Sequence, residues 1–465
     1  MGSNPDGGGA QPPEPAELSR VLARLSRGLV GRDEQARCLL LATLCGEHVL
    51  LVGPPGTAKS ELARRLRDAL GGRWFERLLT RFTVPEELFG PLSLAALDEG
   101  RYLREIEGYL PTATVAFLDE VFKANSAILN ALLTLLNERV FDQGAERVAV
   151  PLATLVAASN DVPGDEALRA FHDRFLFRCG VAPVAAEAFE ALLRTGETSG
   201  RDDPMPPLAP AALEALRTAA AAVALPGGIV DALAGLRVLL AEGGSDVSDR
   251  RWVQSVRALR VAAASHGRHE VGIVDLWALR WLLAVDAAQV ERIEDWLAER
   301  LGGARALEPV RLARLAQAWD KQLEVEQTAT ELAFDDSGKL ALAKGLGGAD
   351  ESTMSDAAPR MSAFSRRRRF SATHVRARIA QLDAVLAEVD AWLDGAARHA
   401  ERVRVELTGN LWIAPGFVTR VLERLGQGET AVRGLHATLG ATRAEFVALP
   451  LAETDDGRLP DPVSA

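Results

Sequence analysis

The run Gly53-Pro54-Pro55-Gly56-Thr57-Ala58-Lys59-Ser60 is the first place in this 465-residue chain where residue types and spacing could do chemistry. Successive backbone N–H groups in such a loop, followed by a helix start, form a concave site for anions. Lys59 would reach β- and γ-phosphates and the Ser60 hydroxyl would hold Mg²⁺, so ATP and Mg²⁺ are the expected ligands. Glu61 follows directly and completes the set of candidate contacts. One position departs from the strict phosphate-loop pattern: Ala58 stands where a second glycine is expected. Downstream, Asp119-Glu120 closes an apolar run, and Ser159-Asn160 closes another. A carboxylate at a strand end beside a phosphate loop can hold Mg²⁺ through water, and the next can polarise an attacking water. Asn160 could hold that water or touch the γ-phosphate; read blandly, it is a turn residue.

These side chains need a parallel sheet to bring them together. Val49–Val52 reads as a short buried strand, and Leu62 and Leu66 mark one face of the helix after the loop. Runs from Thr114, from Ala153 and from Leu176 to Cys179 read as three more strands. Phe122–Asn137 is a helix pattern, and two alternating pieces around Gln143-Gly144 read as a hairpin. Upstream, Leu18, Val21, Leu22 and Leu25 give a helix, and a second runs through Leu39–Leu41. Between them, Val30 and Gly31 form an elbow against which an adenine base could pack.

Hydrophobic residues make up 48% of the chain and charged residues 25%, as in an ordinary folded protein. A net charge of −11 argues against a protein whose main task is coating nucleic acid. The three cysteines, Cys38, Cys45 and Cys179, lack metal-ligand or redox spacing and read as buried thiols in a reducing compartment. No apolar run is long enough for a membrane span and the first residues lack signal-peptide order, so a cytoplasmic protein is expected.

Four stretches together resemble the MoxR family of AAA+ ATPases, in particular its RavA-like branch. They are GPPGTAKS at 53–60, LDEVFKANSAILNALLTLLNERVFDQG at 118–144, AASN at 157–160 and SDRRW at 248–252. The resemblance implies an α/β P-loop fold: an αβα nucleotide-binding core with a helix-2 insert within 93–110, a hairpin before the third motif and a helical lid. It further implies a mainly α-helical C-terminal domain and assembly into a ring, usually hexameric. Along this chain that means a disordered N-terminus at 1–16, the core at 17–190, the lid at 191–300 and the C-terminal domain at 301–465. A mobile loop is expected at about 333–372, too short for the full β module of RavA-like proteins. Carried over, Asp119 becomes the Mg²⁺-associated acid, Glu120 the base and Asn160 the first sensor. Arg174 becomes the arginine finger, serving the neighbouring subunit's ATP; Arg169 and Arg178 compete, and Arg174 could instead pair with Asp173. Arg250 becomes the second sensor, reaching the γ-phosphate from the lid, with Arg251 as rival.

The function implied is Mg²⁺-dependent ATP hydrolysis that remodels or activates a protein substrate, with a von Willebrand factor A-domain protein as partner. Nucleic acid is not expected as a partner. Two alternatives stay open on sequence alone: a nucleic-acid motor or loader, and a nucleotide-gated scaffold with little turnover. The absence of Asn-Lys-x-Asp fits adenine rather than guanine. The basic run Arg366–Arg369 reads as a solvated loop end or as a contact for an acidic surface or nucleic acid. Trp252, Trp277 and Trp281 fall at helical spacing and read as core.

Overall fold

A computed structural model describes residues 10–144, 146–161, 168, 171–194, 206–302, 307–332, 365–455 and 457–463. The chain divides into two compact units, one of residues 1–301 with 405–418, the other of 302–404 with 419–465.

The first unit is built on a five-stranded parallel sheet of β1 (Val49–Val52), β2 (Trp74–Leu78), β3 (Val115–Asp119), β6 (Thr154–Ser159) and β7 (Phe177–Gly180). Their spatial order is β2-β3-β6-β1-β7. Each inner strand is a short apolar run, as expected of a parallel sheet covered on both faces. Leu50, Leu118, Leu155 and Ala157 are buried in one core with Ile128, Leu132 and Leu135 of the helix Ser126–Glu138. On the other side lie α1 (Pro15–Ser26), α2 (Asp33–Cys45) and α3 (Lys59–Leu70), with α2 beside β7 and α3 beside β3. Leu18, Val21, Leu22 and Leu25 are the buried stripe of α1. Burying such side chains contributes about 1.5–3 kcal/mol each before entropy is charged. The helix starting at Asn125 is fixed by its cap, whose side chain accepts from the Ile128 N–H at 3.1 Å.

Register decides what meets at the sheet's C-terminal edge. Val52 pairs with Ser159 on one side and Gly180 on the other. Leu118 pairs with Ala157. The segment after β6 therefore sits between the loop after β1 and the acids at the end of β3. The hairpin of β4 (Val140–Gln143) and β5 (Glu146–Ala149) stands where the alternation predicts. Strand β2 is the element that sequence reading missed. Its five residues, WFERL, carry two charges, and only Phe75 is buried.

Within 93–110 the described structure has a short helix, Leu94–Asp98, and a bridge between Leu92 and Arg104. Helices Pro210–Ala221, Gly227–Glu242 and Asp249–Ala264 follow β7. Trp277 and Trp281 are buried, whereas Trp252 is half-buried. The segment 405–418 belongs to this unit. Trp412 donates its indole N–H to Ser265 Oγ at 3.1 Å, and Phe417 lies 4.3 Å from the Trp277 ring, centroid to centroid.

The second unit is mainly helical. Helix Ala372–Thr408 spans 37 residues and Pro415–Val447 spans 33. Glycine-containing stretches interrupt the apolar pattern of the sequence after Leu393 and near Leu425. The helices continue because apolar residues recur beyond those points: Val403 and Leu407 are buried in the first, and Val432, Leu439 and Phe446 of the second share a core with Val375, Leu382 and Val389. A spacing of seven is a packing seam, which outweighs the weak helix propensity of glycine. The loop expected at 333–372 falls largely outside the described residues. Its described end differs from a loop: Ser365–Arg367 pairs antiparallel with Thr330–Leu332.

Candidate active site

The phosphate loop is shaped by what surrounds it. Gly53 must be glycine, because a Cβ there would lie 2.1 Å from the carbonyl oxygen of Val181, just past β7. Gly56 takes φ +77°. Ala58 takes φ +65° and ψ 25°, the left-handed conformation that favours glycine. Its methyl costs about 1–2 kcal/mol there, so the departure from the usual pattern strains the loop without changing its path. Thr57 is buried, and its hydroxyl donates to the Pro54 carbonyl at 2.9 Å. Pro54, Pro55 and Gly56 are exposed.

Lys59 opens α3 and is buried. Its ammonium donates to the carbonyls of Gly53 at 2.6 Å and Pro54 at 2.9 Å. Burial holds its pKa below the usual value, and the charges of Asp119 and Glu120 oppose that shift. The cation is thus poised at the loop, facing the acids of β3. Ser60 is the next residue of α3. Glu61 turns along the helix, where its carboxylate accepts from Arg65 Nε at 3.1 Å.

Asp119 Oδ1 accepts from the Glu120 N–H at 2.9 Å. Glu120 itself takes φ +53°, an uncommon conformation for a non-glycine residue. Its Oε1 accepts from Asn160 Nδ2 at 2.6 Å and lies 3.1 Å from Lys123 Nζ. The register therefore brings the expected base and first sensor into direct contact. An oxygen-only set of one hydroxyl and one carboxylate, Ser60 and Asp119, suits Mg²⁺ completed by phosphates and water. Among the described residues no group of three or more His, Cys, Asp or Glu gathers to hold a metal by itself.

Two residues not singled out in the sequence tie the elbow to the loop. Arg32 is buried; its Nε donates to the Thr57 carbonyl at 2.9 Å and its Nη1 to the Gly31 carbonyl at 2.8 Å. Gln35 donates to the Gly180 carbonyl at 2.7 Å. Val30 and Gly31 are thereby held beside Thr57. The signal in the sequence is the arginine directly after the Val-Gly elbow, a cation where an apolar base contact was sought.

The arginines separate cleanly. Arg178 is buried, donating to Asp173 Oδ1 at 3.1 Å and to the Phe175 carbonyl at 3.3 Å. Arg251 is buried and donates to Asp173 Oδ1 at 3.1 Å and to the carbonyls of Phe175 at 3.0 Å and Leu176 at 2.8 Å. Burial lowers the pKa of Arg178 to about 9 and of Arg251 to about 10, with Asp173 opposing both shifts. Both are structural, so neither competes as finger or second sensor. Arg174 is half-buried and, among the described residues, its guanidinium has no hydrogen-bond or ion-pair partner. Arg169 lies outside the described residues.

Arg250 differs from Arg251 in its surroundings. It is exposed, at the start of helix Asp249–Ala264. Its neighbour Arg251 grips carbonyls just before β7, at the edge of the sheet where β1 begins. Arg250 itself acts electrostatically on Glu47, immediately before that edge, where burial raises the carboxyl and Arg139 and Arg250 counter it. The phosphate loop follows the other end of β1.

A parallel sheet in this order, with a glycine loop after β1 and an acid pair after β3, is the α/β P-loop fold of the AAA+ class. The comparisons with known proteins agree. Residues 16–217 match the MoxR domain of the MoxR–vWA–beta-propeller ternary systems, and residues 228–297 match an AAA lid domain. An uncharacterized protein of Methanocaldococcus jannaschii is 39% identical over 57% of this chain and 69% of its own length. A second from that organism is 39% identical, covering 57% and 70%. Chaperone MoxR1 of Mycobacterium tuberculosis is 29% identical over 39% of this chain and 48% of its own. Residues 16–217 thus carry a MoxR-type AAA+ domain and residues 228–297 its lid.

Proposed function

We propose that the protein hydrolyses ATP with Mg²⁺ at a site shared between neighbouring subunits of a ring, and uses the cycle to remodel or activate a partner protein. The observation that carries the shared site is Arg174. It precedes β7, at the edge where β1 begins, while its own phosphate loop follows the opposite end. Four residues of strand span about 13 Å. A cation there, with no partner among the described residues, suits the γ-phosphate of a neighbour's ATP, where charge develops in phosphoryl transfer. Arg250, exposed and beside the same edge, would face that neighbouring site too.

In the chain's own loop, Lys59 and the backbone N–H groups would orient the β- and γ-phosphates, and Ser60 and Asp119 would hold Mg²⁺. The bound ion would neutralise phosphate charge. Glu120 would take the proton of the attacking water, with Asn160 fixing the carboxylate's Oε1 and positioning that water. Val30 and Gly31 would flank the adenine.

A von Willebrand factor A-domain protein is the proposed partner, supported by the description of the matching MoxR domain. A hexameric ring, a cytoplasmic setting and placement in the RavA-like branch rest on the sequence resemblance. No helix among the described residues is long and apolar enough to cross a membrane. The core, lid and C-terminal helical domain are proposed at 17–190, 191–300 and 301–465.

Phosphate release with ATP and Mg²⁺, repeated with EDTA in excess and with single- and double-stranded DNA, tests the reading. Release that needs Mg²⁺ and ignores DNA is expected. Release that appears only with DNA would move the motor reading ahead.

A further inference from the structure

Arg174 sits in a turn whose backbone is held from two sides. Inside, Phe171 and Phe175 are buried in the sheet's core, their rings 5.4 Å apart and edge-to-face. The turn is closed by the Arg174 N–H, which donates to the Phe171 carbonyl at 3.0 Å. Outside, a single guanidinium spans the turn: Arg251 donates to the carbonyls of Asp173 at 3.3 Å, Phe175 at 3.0 Å and Leu176 at 2.8 Å. These carbonyls lie on both sides of residue 174. Arg251 reaches them from helix Asp249–Ala264, and its Nε is used by the Leu282 carbonyl at 2.5 Å. Arg178 arrives beside it from β7. Two buried like charges side by side need a shared anion, and Asp173 Oδ1 is that anion, 3.1 Å from each.

We infer that Asp173, with Arg251 and Arg178, is the positioning group of the finger: it fixes the turn carrying Arg174 and fastens it to the lid helix. A long arginine that must reach another chain's site is useful only if its backbone is already placed, since a misplacement of about 1 Å can cost about 100-fold in rate. The network supplies that placement without touching nucleotide. It also makes the finger and Arg250, next to Arg251 in sequence, parts of one rigid block. Lid and finger therefore move together. This inference rests on the proposed role of Arg174 in a neighbour's site.

The experiment uses the full chain and four variants: Asp173→Asn, Arg251→Lys, Arg174→Ala and Glu120→Gln. Asn keeps the shape but not the charge; Lys keeps the charge but cannot span three carbonyls. Each of the first two is expected to unfold cooperatively, to bind ATP within about twofold of wild type and to lose turnover at saturating ATP at least about tenfold. Mixed in equal amounts with Glu120→Gln, Asp173→Asn should recover about a quarter of wild-type turnover. That is the chance, at random mixing around a head-to-tail ring, that a site has its own base and a neighbour's sound finger. A variant that merely folds badly would not be restored. Near-wild-type turnover of both variants overturns the inference. So does failure of both to recover in mixtures where Arg174→Ala does recover. If Arg174→Ala also fails to recover with Glu120→Gln, the shared-site reading falls and takes the inference with it. Should Asp173→Asn not fold, Arg251→Lys decides alone.

Discussion

Replacing Gly53 by alanine separates a steric demand from a conformational one. The new Cβ would lie 2.1 Å from the Val181 carbonyl oxygen and 2.9 Å from its carbon. Carbon–oxygen contacts settle near 3.3 Å, so strand exit and loop must part by about 1 Å. That movement breaks the bond by which the Val181 N–H donates to the Val52 carbonyl at 2.7 Å. Overpacking costs about 1–3 kcal/mol and a lost backbone bond about 0.5–1.5 kcal/mol, so a loss of about 2–4 kcal/mol is expected. Gly56→Ala is the control. Nothing lies within 4 Å of its would-be Cβ, but its φ is +77°, so only the left-handed penalty applies, about 1–2 kcal/mol. At about 2–4 °C per kcal/mol, the nucleotide domain's melting midpoint should fall about 4–16 °C for Gly53→Ala and about 2–8 °C for Gly56→Ala. Calorimetry with and without ATP reads both numbers, and ATP should rescue Gly53→Ala less than wild type. If Gly53→Ala melts no lower than Gly56→Ala and binds ATP normally, the contact with Val181 does not shape the loop.

Glu120→Gln should bind ATP within a few fold of wild type, by fluorescent-nucleotide titration, and lose turnover by about 100-fold or more. A further prediction concerns acid. Burial lowers the pKa of His172 to about 3, with the charges of Arg178 and Arg251 adding to the shift. The unfolded chain therefore binds the proton first, near pH 6.5. The resulting stability is full above pH 6.5, falls as pH drops and is lost through about 3. His172→Gln should flatten this part of the acid limb in urea titrations taken from pH 7 to 4. An unchanged slope would mean that His172 is not held neutral.

Much of the fold could be read because its signals are local. Val49–Val52 with the loop behind it, the Asn125-capped helix and the Gln143-Gly144 hairpin each declare themselves within a dozen residues. Strand β2 did not, because an edge strand with one buried side chain has no apolar run to show. The two long helices run past their glycines because the seam that sustains them joins segments far apart in the sequence. Within the site, positions after strands were legible and long-range partners were not. Only folding shows that Arg178 and Arg251 both pair with Asp173, while Arg174 has no partner among the described residues. The same holds for Arg250, whose motif carried an expected role but not the edge of the sheet it occupies.

The central claim is that an active site is completed by a neighbouring chain. The most direct measurement is ATP turnover per subunit against protein concentration for wild type and Arg174→Ala. Turnover should rise as the wild type assembles and should stay near zero at every concentration for Arg174→Ala, although that variant still binds ATP. Turnover that is flat with concentration and unmoved by Arg174→Ala would contradict the account.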